Sequence, residues 1–372
     1  MTPVVHHYFP YKSANVGDAL VAHAIQTALR RHWGPLDFVN VAVNNRIKDT
    51  AEVTGLHGKN LERSNAEADL IVIGGSNLLE PRKISHTNHV NSQWHWGVQT
   101  DIQSLRKLRV PVLLIGMGTG SDWKRPILPY STKAAEEVRF LHQYALASAV
   151  RDEPTRAKLV EIGVSTQCTG CPVTFLTDRP VEHTTAGKPL LVSLPPARIL
   201  KTWSGKWFMQ QTMKYLGWLR QQGIPFVATL HERADQDFAP LWVPQGIPVF
   251  YTEDVSELIA RYEDSSGVIG FRLHAALLSL GLGKPIVPVN VDWRGRAFSQ
   301  TFGLQDIALE PGKWGHFQRL RTLTFQLHRG DDQLLNRLRN DKERFLLRFD
   351  HFLDHAESTY RGLTSTQHKA AA

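Results

Sequence analysis

Arg272 and His274 lie one residue apart in the stretch GVIGFRLHAALLSLGLGKPIVPVN, residues 267–290. A guanidinium is a planar fork matched to phosphate or carboxylate, and an imidazole both gives and takes protons near neutral pH. Their surroundings narrow the chemistry. Residues 267–271 are short and apolar with β-branched Val268 and Ile269, whereas Leu273, Ala276, Leu277 and Leu280 recur at helical spacing until Gly281 and Gly283. The pattern predicts a buried strand, a turn and a helix, with Arg272 and His274 at the turn. A helix start offers unpaired N–H groups and the positive end of a dipole, so this turn is expected to hold an anion. The bland alternative is that Arg272 pairs with a carboxylate or caps a carbonyl, and His274 is a satisfied structural residue.

Other candidates occupy similar positions. Asn15, Gly17 and Asp18 lie in the loop entering a helix expected from about Asp18 to His32. Asp18 is then either a cap, with Gly17 permitting the turn, or a carboxylate presented to a ligand. Gly74, Gly75 and Ser76 follow the apolar run ADLIVI, and Gly116, Gly118 and Gly120 follow RVPVLLI. Glycines at the end of a parallel strand let backbone approach a ligand, but GGS leaves the dinucleotide fingerprint incomplete, so no nicotinamide cofactor is expected. Arg151 ends a short strand from Ala145 to Val150 and is either a site cation or the ion-pair partner of Asp152 or Glu153. Trp94 and Trp96, in HTNHVNSQWHWGVQ, offer flat apolar faces on which sugar rings pack, or else belong to the core. His86 and His89 lack a carboxylate at ligand spacing, and Cys168 and Cys171 lack the second pair a structural zinc needs, so no metal is expected. The two cysteines read as reduced structural thiols.

The elements that must position these residues alternate strand and helix along both halves, the pattern of doubly wound parallel sheets. The Pro-, Thr- and Gly-rich segment 177–189 separates the halves. Expected organisation is an N-terminal domain over 1–178, a C-terminal domain over 189–312, helices over 313–363, and a disordered tail over 364–372; the resemblance given below makes the first domain the acceptor side and the second the donor side. The chain has 372 residues, 42% hydrophobic and 21% charged, which are globular values. Its net charge of +8 implies attraction to anions. The basic residues are dispersed, without zinc-finger spacing or an aromatic RNP-like run, so nucleic acid is not an expected partner. No segment reads as a signal peptide or a membrane span, and the expected location is cytoplasmic. Basic C-terminal helices add an expectation of peripheral association with the inner membrane face.

With the elements in order, the chain resembles the polysaccharide pyruvyl transferase family over roughly residues 11–303. The motifs are NVGD, IVIGGS, GMGTG, VRD at Arg151, GFRLHA, and GKPIVPVNVDWRGRAFSQTFG. The resemblance implies an α/β fold of two facing Rossmann-like domains, GT-B-like, with a helical C-terminal segment. It implies transfer of pyruvate from phosphoenolpyruvate to two hydroxyls of a sugar as a cyclic ketal, with no further cofactor. The acceptor is a carbohydrate, free, polymeric, nucleotide-linked or lipid-linked. The family's arginine after the third-region strand falls on Arg151 and its RLH triplet on Arg272, Leu273 and His274. Its basic residue four positions before a phenylalanine, usually lysine, falls on Arg294. Further departures are GGS for a triple glycine and Cys171 for the aspartate before Pro172.

On this reading Arg151, Arg272 and Arg294 bind the donor's carboxylate and phosphate and should converge with His274 on one pocket. His274 moves protons, and Asp18 is either a base for an acceptor hydroxyl or a cap. Asn15, Gly17, Gly75, Ser76, Trp94 and Trp96 complete the expected substrate contacts. An alternative is a sugar-nucleotide glycosyltransferase, with Glu253 or Asp254 for the ribose; a third is a binding module for neutral sugars.

Overall fold

The computed structural model describes residues 2–11, 15–43, 55–79, 102–119, 129–182, 187–201, 203–311 and 315–371. The expected residues Trp94 and Trp96, with His86, His89 and Gly120, lie outside them.

The first half runs β1 (Val4–Phe9), α1 (Val16–Trp33), β2 (Asp37–Ala42), α2 (Gly58–Glu67), β3 (Leu70–Gly74), β4 (Asn77–Leu79), α3 (Ile102–Leu105), β5 (Val112–Thr119), α4 (Thr132–Tyr144), β6 (Ala147–Val150), α5 (Glu153–Glu161) and β7 (Gln167–Cys168). The second runs β8 (Leu190–Ser193), α6 (Trp203–Gln221), β9 (Phe226–Thr229), α7 (Arg233–Trp242), β10 (Val249–Phe250), α8 (Val255–Glu263), β11 (Gly267–Gly270), α9 (Leu273–Gly281), β12 (Ile286–Pro288), α10 (Trp293–Thr301), α11 (His316–Arg329) and α12 (Asp332–Ala371).

Two compact units result. The first contains Met1–Ser13, Val21–Pro172 and Phe345–Ala372, and the second Ala14–Leu20 and Val173–Arg344. The second unit therefore begins at Val173, ahead of the expected linker. The reason is local: Thr177 donates its backbone N–H and its hydroxyl to the Gly281 carbonyl at the end of α9 (3.0 and 2.8 Å), and the Glu182 N–H donates to Gly283 O (2.9 Å). Lys342, from α12, donates Nζ to Arg179 O at 2.6 Å. Where a disordered tail is expected from residue 364, α12 continues to Ala371.

In the first unit the parallel order is β2-β1-β3-β5-β6-β7, with β4 added on β5. The order reverses between β1 and β3. Strands β3 and β5 are buried along their whole length, which is why LIVIG and VLLIGMGT read as continuous rather than alternating apolar runs. The middle of α12 closes this core with Phe345, Phe349, Phe352 and Leu353, each nearly inaccessible and each worth about 1.5–3 kcal/mol of burial.

The second unit has order β10-β9-β8-β11-β12, all parallel. Here the reversal falls between β8 and β11, so the crevice at the carboxyl ends of those strands is where such a sheet binds ligands. Residues 271–274 occupy that place.

Candidate functional site

Arg272 is the N-cap of α9 and is buried. Its backbone N–H donates to Ser193 Oγ at 3.1 Å and its Nε to Leu194 O at 3.2 Å, both at the end of β8. One terminal nitrogen donates to Glu232 Oε1 at 2.7 Å and the other to Asp235 Oδ2. Glu232 and Asp235 form the capping box of α7, and Asp235 also accepts the Ala197 N–H at 3.0 Å. One guanidinium thus ties the ends of β8, β9 and β11 together. Burial alone would push the Glu232 carboxyl up, but Arg272 and then Arg198 outweigh it and hold the group below its ordinary value. The fork expected to meet a substrate is already engaged by two carboxylates and a carbonyl.

His274 sits in the first turn of α9 and is buried. Gly17 lies directly against its ring: a Cβ on residue 17 would stand 1.9 Å from His274 Nδ1 and 2.3 Å from Cγ. Gly17 is within helix α1, so it serves close approach rather than the turn expected of it. The cap of α1 is Asn15, whose Oδ1 accepts the Gly17 N–H at 3.0 Å and whose carbonyl accepts the Asp18 N–H at 3.0 Å. Asp18 is therefore a first-turn residue and not the cap, and the helix begins two residues earlier than its apolar pattern suggests. Asn15 also makes an antiparallel bridge to Glu232. These contacts make residues 14–20 part of the second unit.

Asp292 caps α10 through the Gly295 N–H (3.2 Å) and accepts Arg294 Nε at 3.0 Å and a terminal nitrogen at 2.5 Å. For Arg294, burial disfavours the charge, but Asp292, then Asp18 and Glu232, prevail and hold its guanidinium above the ordinary value. Arg198, unmarked by any motif, donates to Glu232 Oε1 at 3.2 Å and lies 3.9 Å from Asp292 Oδ2. The second unit thus gathers Arg198, Arg272 and Arg294 with Asp18, Glu232, Asp235 and Asp292. His231 lies beneath, fully buried, with Nε2 2.9 Å from the Tyr262 hydroxyl; burial and then Arg272 push its pKa down to about 3. Sequence position at a strand end marks His231 and Glu232, but Arg198, Asp235 and Asp292 carry no comparable signal beyond lying after strands β8, β9 and β12.

In the first unit Arg151 is buried, with a terminal nitrogen donating to Asn77 Oδ1 and Nε 3.5 Å from Asp152 Oδ2. Gly118 makes room for it, since a Cβ there would stand 2.5 Å from Arg151 Nε and 2.8 Å from Asn77 Oδ1. Asp152 is chiefly the cap of α5, accepting the Thr155 N–H at 2.8 Å. Glu153, the other expected partner, instead engages Arg156 at 2.5 Å. Gly75 has φ +90 and is buried at the end of β3, beside β1. Ser76 uses its carbonyl to accept from Gly118 and Leu78, both at 3.0 Å, and so fixes β4 against β5.

Cys168 and Cys171 are buried and form no disulfide, and burial, then Glu153, pushes the Cys168 thiol up. Among the described residues no group of His, Cys, Asp or Glu is arranged to hold a metal, and no helix is long and apolar enough to cross a membrane. Asp254 caps α8 and Glu253 accepts from the Tyr251 hydroxyl at 2.8 Å, so both carboxylates already have local roles.

The model of the polysaccharide pyruvyl transferase family matches residues 15–292. No curated protein matches the chain by sequence. Among solved structures, a protein described as a UDP-N-acetylglucosamine 2-epimerase from Listeria monocytogenes is 10% identical, with 91% of each chain covered and a TM-score of 0.52. A UDP-glucosyltransferase from Polygonum tinctorium is 9% identical, with 97% of this chain and 99% of that one covered and a TM-score of 0.51. At these identities the likeness is one of fold: the chain has the GT-B type of architecture, two Rossmann-like parallel sheets with C-terminal helices.

Proposed function

The chain belongs to the polysaccharide pyruvyl transferase family, and from that premise we propose that it moves pyruvate from phosphoenolpyruvate onto two hydroxyls of a sugar in a glycan or glycan precursor. The observation that carries the reading is His274. It is held at the reversal point of the second sheet, in the first turn of α9, against the Gly17 backbone, with Asp18 and Arg294 close to one another in the same unit.

The reaction dictates what such a group must do. The methylene carbon of the donor gains a proton, C2 becomes electrophilic, one sugar hydroxyl adds there, and a second displaces phosphate. Two C–O bonds form, one breaks, and of the two hydroxyl protons one replaces that delivered to the methylene carbon while the other leaves with phosphate. A single imidazole can serve both directions because it gives a proton and then recovers one. His274 fits that role, and Asp18 is the candidate to accept a hydroxyl proton. Arg294 and the N–H groups opening α9 supply positive potential for the donor's anionic groups. Arg151 is kept as a candidate donor contact, and the acceptor's carrier follows the family's chemistry, with lipid-linked and nucleotide-linked sugars among the candidates.

The test is mass spectrometry for a pyruvate adduct on a panel of acceptor glycans supplied with phosphoenolpyruvate, with phosphate release measured in parallel. Wild-type protein should form adduct, and His274→Ala should lower turnover by about 10²–10⁴-fold with its circular dichroism unchanged. Near wild-type turnover in that variant would remove the proton-transfer role. Sugar transfer from a nucleotide sugar, without adduct, would favour the glycosyltransferase alternative.

A further inference from the structure

The RLH arginine is the residue a sequence reading assigns to the donor, yet its hydrogen-bonding edges are engaged at Glu232, Asp235 and Leu194, and only 8% of its side chain is exposed. Arg198 is held differently. Its side chain is 42% exposed, and both its contacts are borrowed from other pairs. Glu232 Oε1, 3.2 Å from Arg198, is 2.7 Å from Arg272, and Asp292 Oδ2, 3.9 Å from Arg198, is 2.5 Å from Arg294. Each carboxylate oxygen is committed more closely to the other arginine.

Position agrees with this looseness. Arg198 follows β8 and Arg272 follows β11, the two strands between which the sheet order reverses, so the two flank the crevice where a sheet of this order takes its ligand. Burial, then the neighbouring charges of Arg294 and Arg272, hold the Arg198 guanidinium below its ordinary value, with Glu232 and Asp292 opposing. The same cluster, with Asp18, Glu232, Asp235 and Asp292 against three arginines, needs a cation that can turn outward before it can accept a phosphate.

Resting on the proposed donor, we infer that Arg198 is the phosphate-recognising residue of the second unit, exchanging its long contacts to Glu232 and Asp292 for a bidentate contact to a ligand phosphate, while Arg272 holds the scaffold. The shared chemistry is a phosphate dianion, whether carried by phosphoenolpyruvate, by the inorganic phosphate product or by a nucleoside diphosphate.

Isothermal titration of the full chain with phosphoenolpyruvate, inorganic phosphate and UDP separates these sources. Arg198→Ala should raise Kd for phosphoenolpyruvate and phosphate alike by about ten- to hundred-fold, the worth of a charge-assisted contact. Its melting temperature should hardly move, because a half-exposed ion pair contributes little to stability. Arg198→Lys should recover part of the loss, keeping charge without the fork. Asp292→Asn keeps a good helix cap but removes a competing charge, so it should tighten phosphate binding, and that gain should shrink when combined with Arg198→Ala, whereas a merely structural Arg198 would leave the gain, relayed through Arg294, unchanged. Unchanged affinity for phosphoenolpyruvate in Arg198→Ala overturns the role of Arg198 and leaves the donor reading standing. Wild-type protein that binds neither phosphoenolpyruvate nor phosphate nor UDP overturns both. Binding of UDP but not phosphoenolpyruvate, lost in Arg198→Ala, upholds Arg198 as the phosphate contact and removes phosphoenolpyruvate as the donor.

Discussion

Each unit presses a glycine against a functional-type side chain at the carboxyl end of its sheet, but the surroundings differ. In the first unit Gly118 faces Arg151, which rests on neutral Asn77 and a long contact to Asp152. In the second, Gly17 faces His274, and the same unit holds a dense set of guanidiniums and carboxylates. The Arg151 contact joins neighbouring strands β5 and β6, whereas the His274 contact brings the start of α1 to the start of α9. The first arrangement packs one cation among local partners; the second assembles a protonatable ring and its charged neighbours from distant parts of the chain. This difference identifies the second unit as the richer candidate for chemistry.

The comparison can be broken at several points. The largest effect should come from Arg272→Ala, which leaves Glu232 and Asp235 without their shared cation: about 3–5 kcal/mol of stability lost in urea unfolding. A loss under about 1 kcal/mol would mean that Arg272 does not hold the strand ends together. Next is Gly17→Ala. Helix propensity alone predicts a gain of about 1 kcal/mol there, yet the added Cβ would overlap the His274 ring, so displacement of the ring should lower turnover by on the order of 10²-fold. Stability that rises with activity intact would show that the ring has room to move. Gly118→Ala meets a longer and more adaptable side chain; a cost of about 1–3 kcal/mol with a smaller effect on turnover than Gly17→Ala is expected. The reverse order of the two alanine variants would move the chemistry to the first unit.

The smallest effect is graded with pH. His231 in the second unit and His7 in the first both stay neutral in the fold to about pH 3, because burial disfavours their charged forms. Unfolding lets each take up a proton below its ordinary value near 6.5, so stability present above that pH falls as the solution is acidified toward 3, by about 1.4 kcal/mol per pH unit for each histidine. Unfolding of His231→Gln, followed from pH 7 to 4, should show a shallower decline than wild type. An unchanged slope would mean that His231 is charged in the fold.

Much of the fold is visible in local pattern. The continuous apolar runs at β3 and β5 announce buried parallel strands, and Leu273, Ala276, Leu277 and Leu280 announce α9, because period and burial are properties of neighbouring residues. The placing of Arg272 and His274 at a helix start is visible for the same reason. The cap of α1 is not, since Asn15 and Asp18 are both good capping residues and only the backbone path selects Asn15. The start of α6 at Trp203 is likewise hidden, for Trp203 is 83% exposed and adds nothing to an apolar stripe.

The sequence by itself determined an α/β chain with two sets of parallel strands, glycine-bearing strand ends, and the RLH turn with its family resemblance. Only the tertiary structure decided the strand orders, the pairing of Gly17 with His274, and the engagement of Arg272 by Glu232 and Asp235 beside a more loosely held Arg198. The physical reason is that a charged side chain's role depends on which opposite charges the fold brings within a few ångströms. Glu232 and Asp235 reach Arg272 from the start of α7, and no spacing in the chain encodes that meeting.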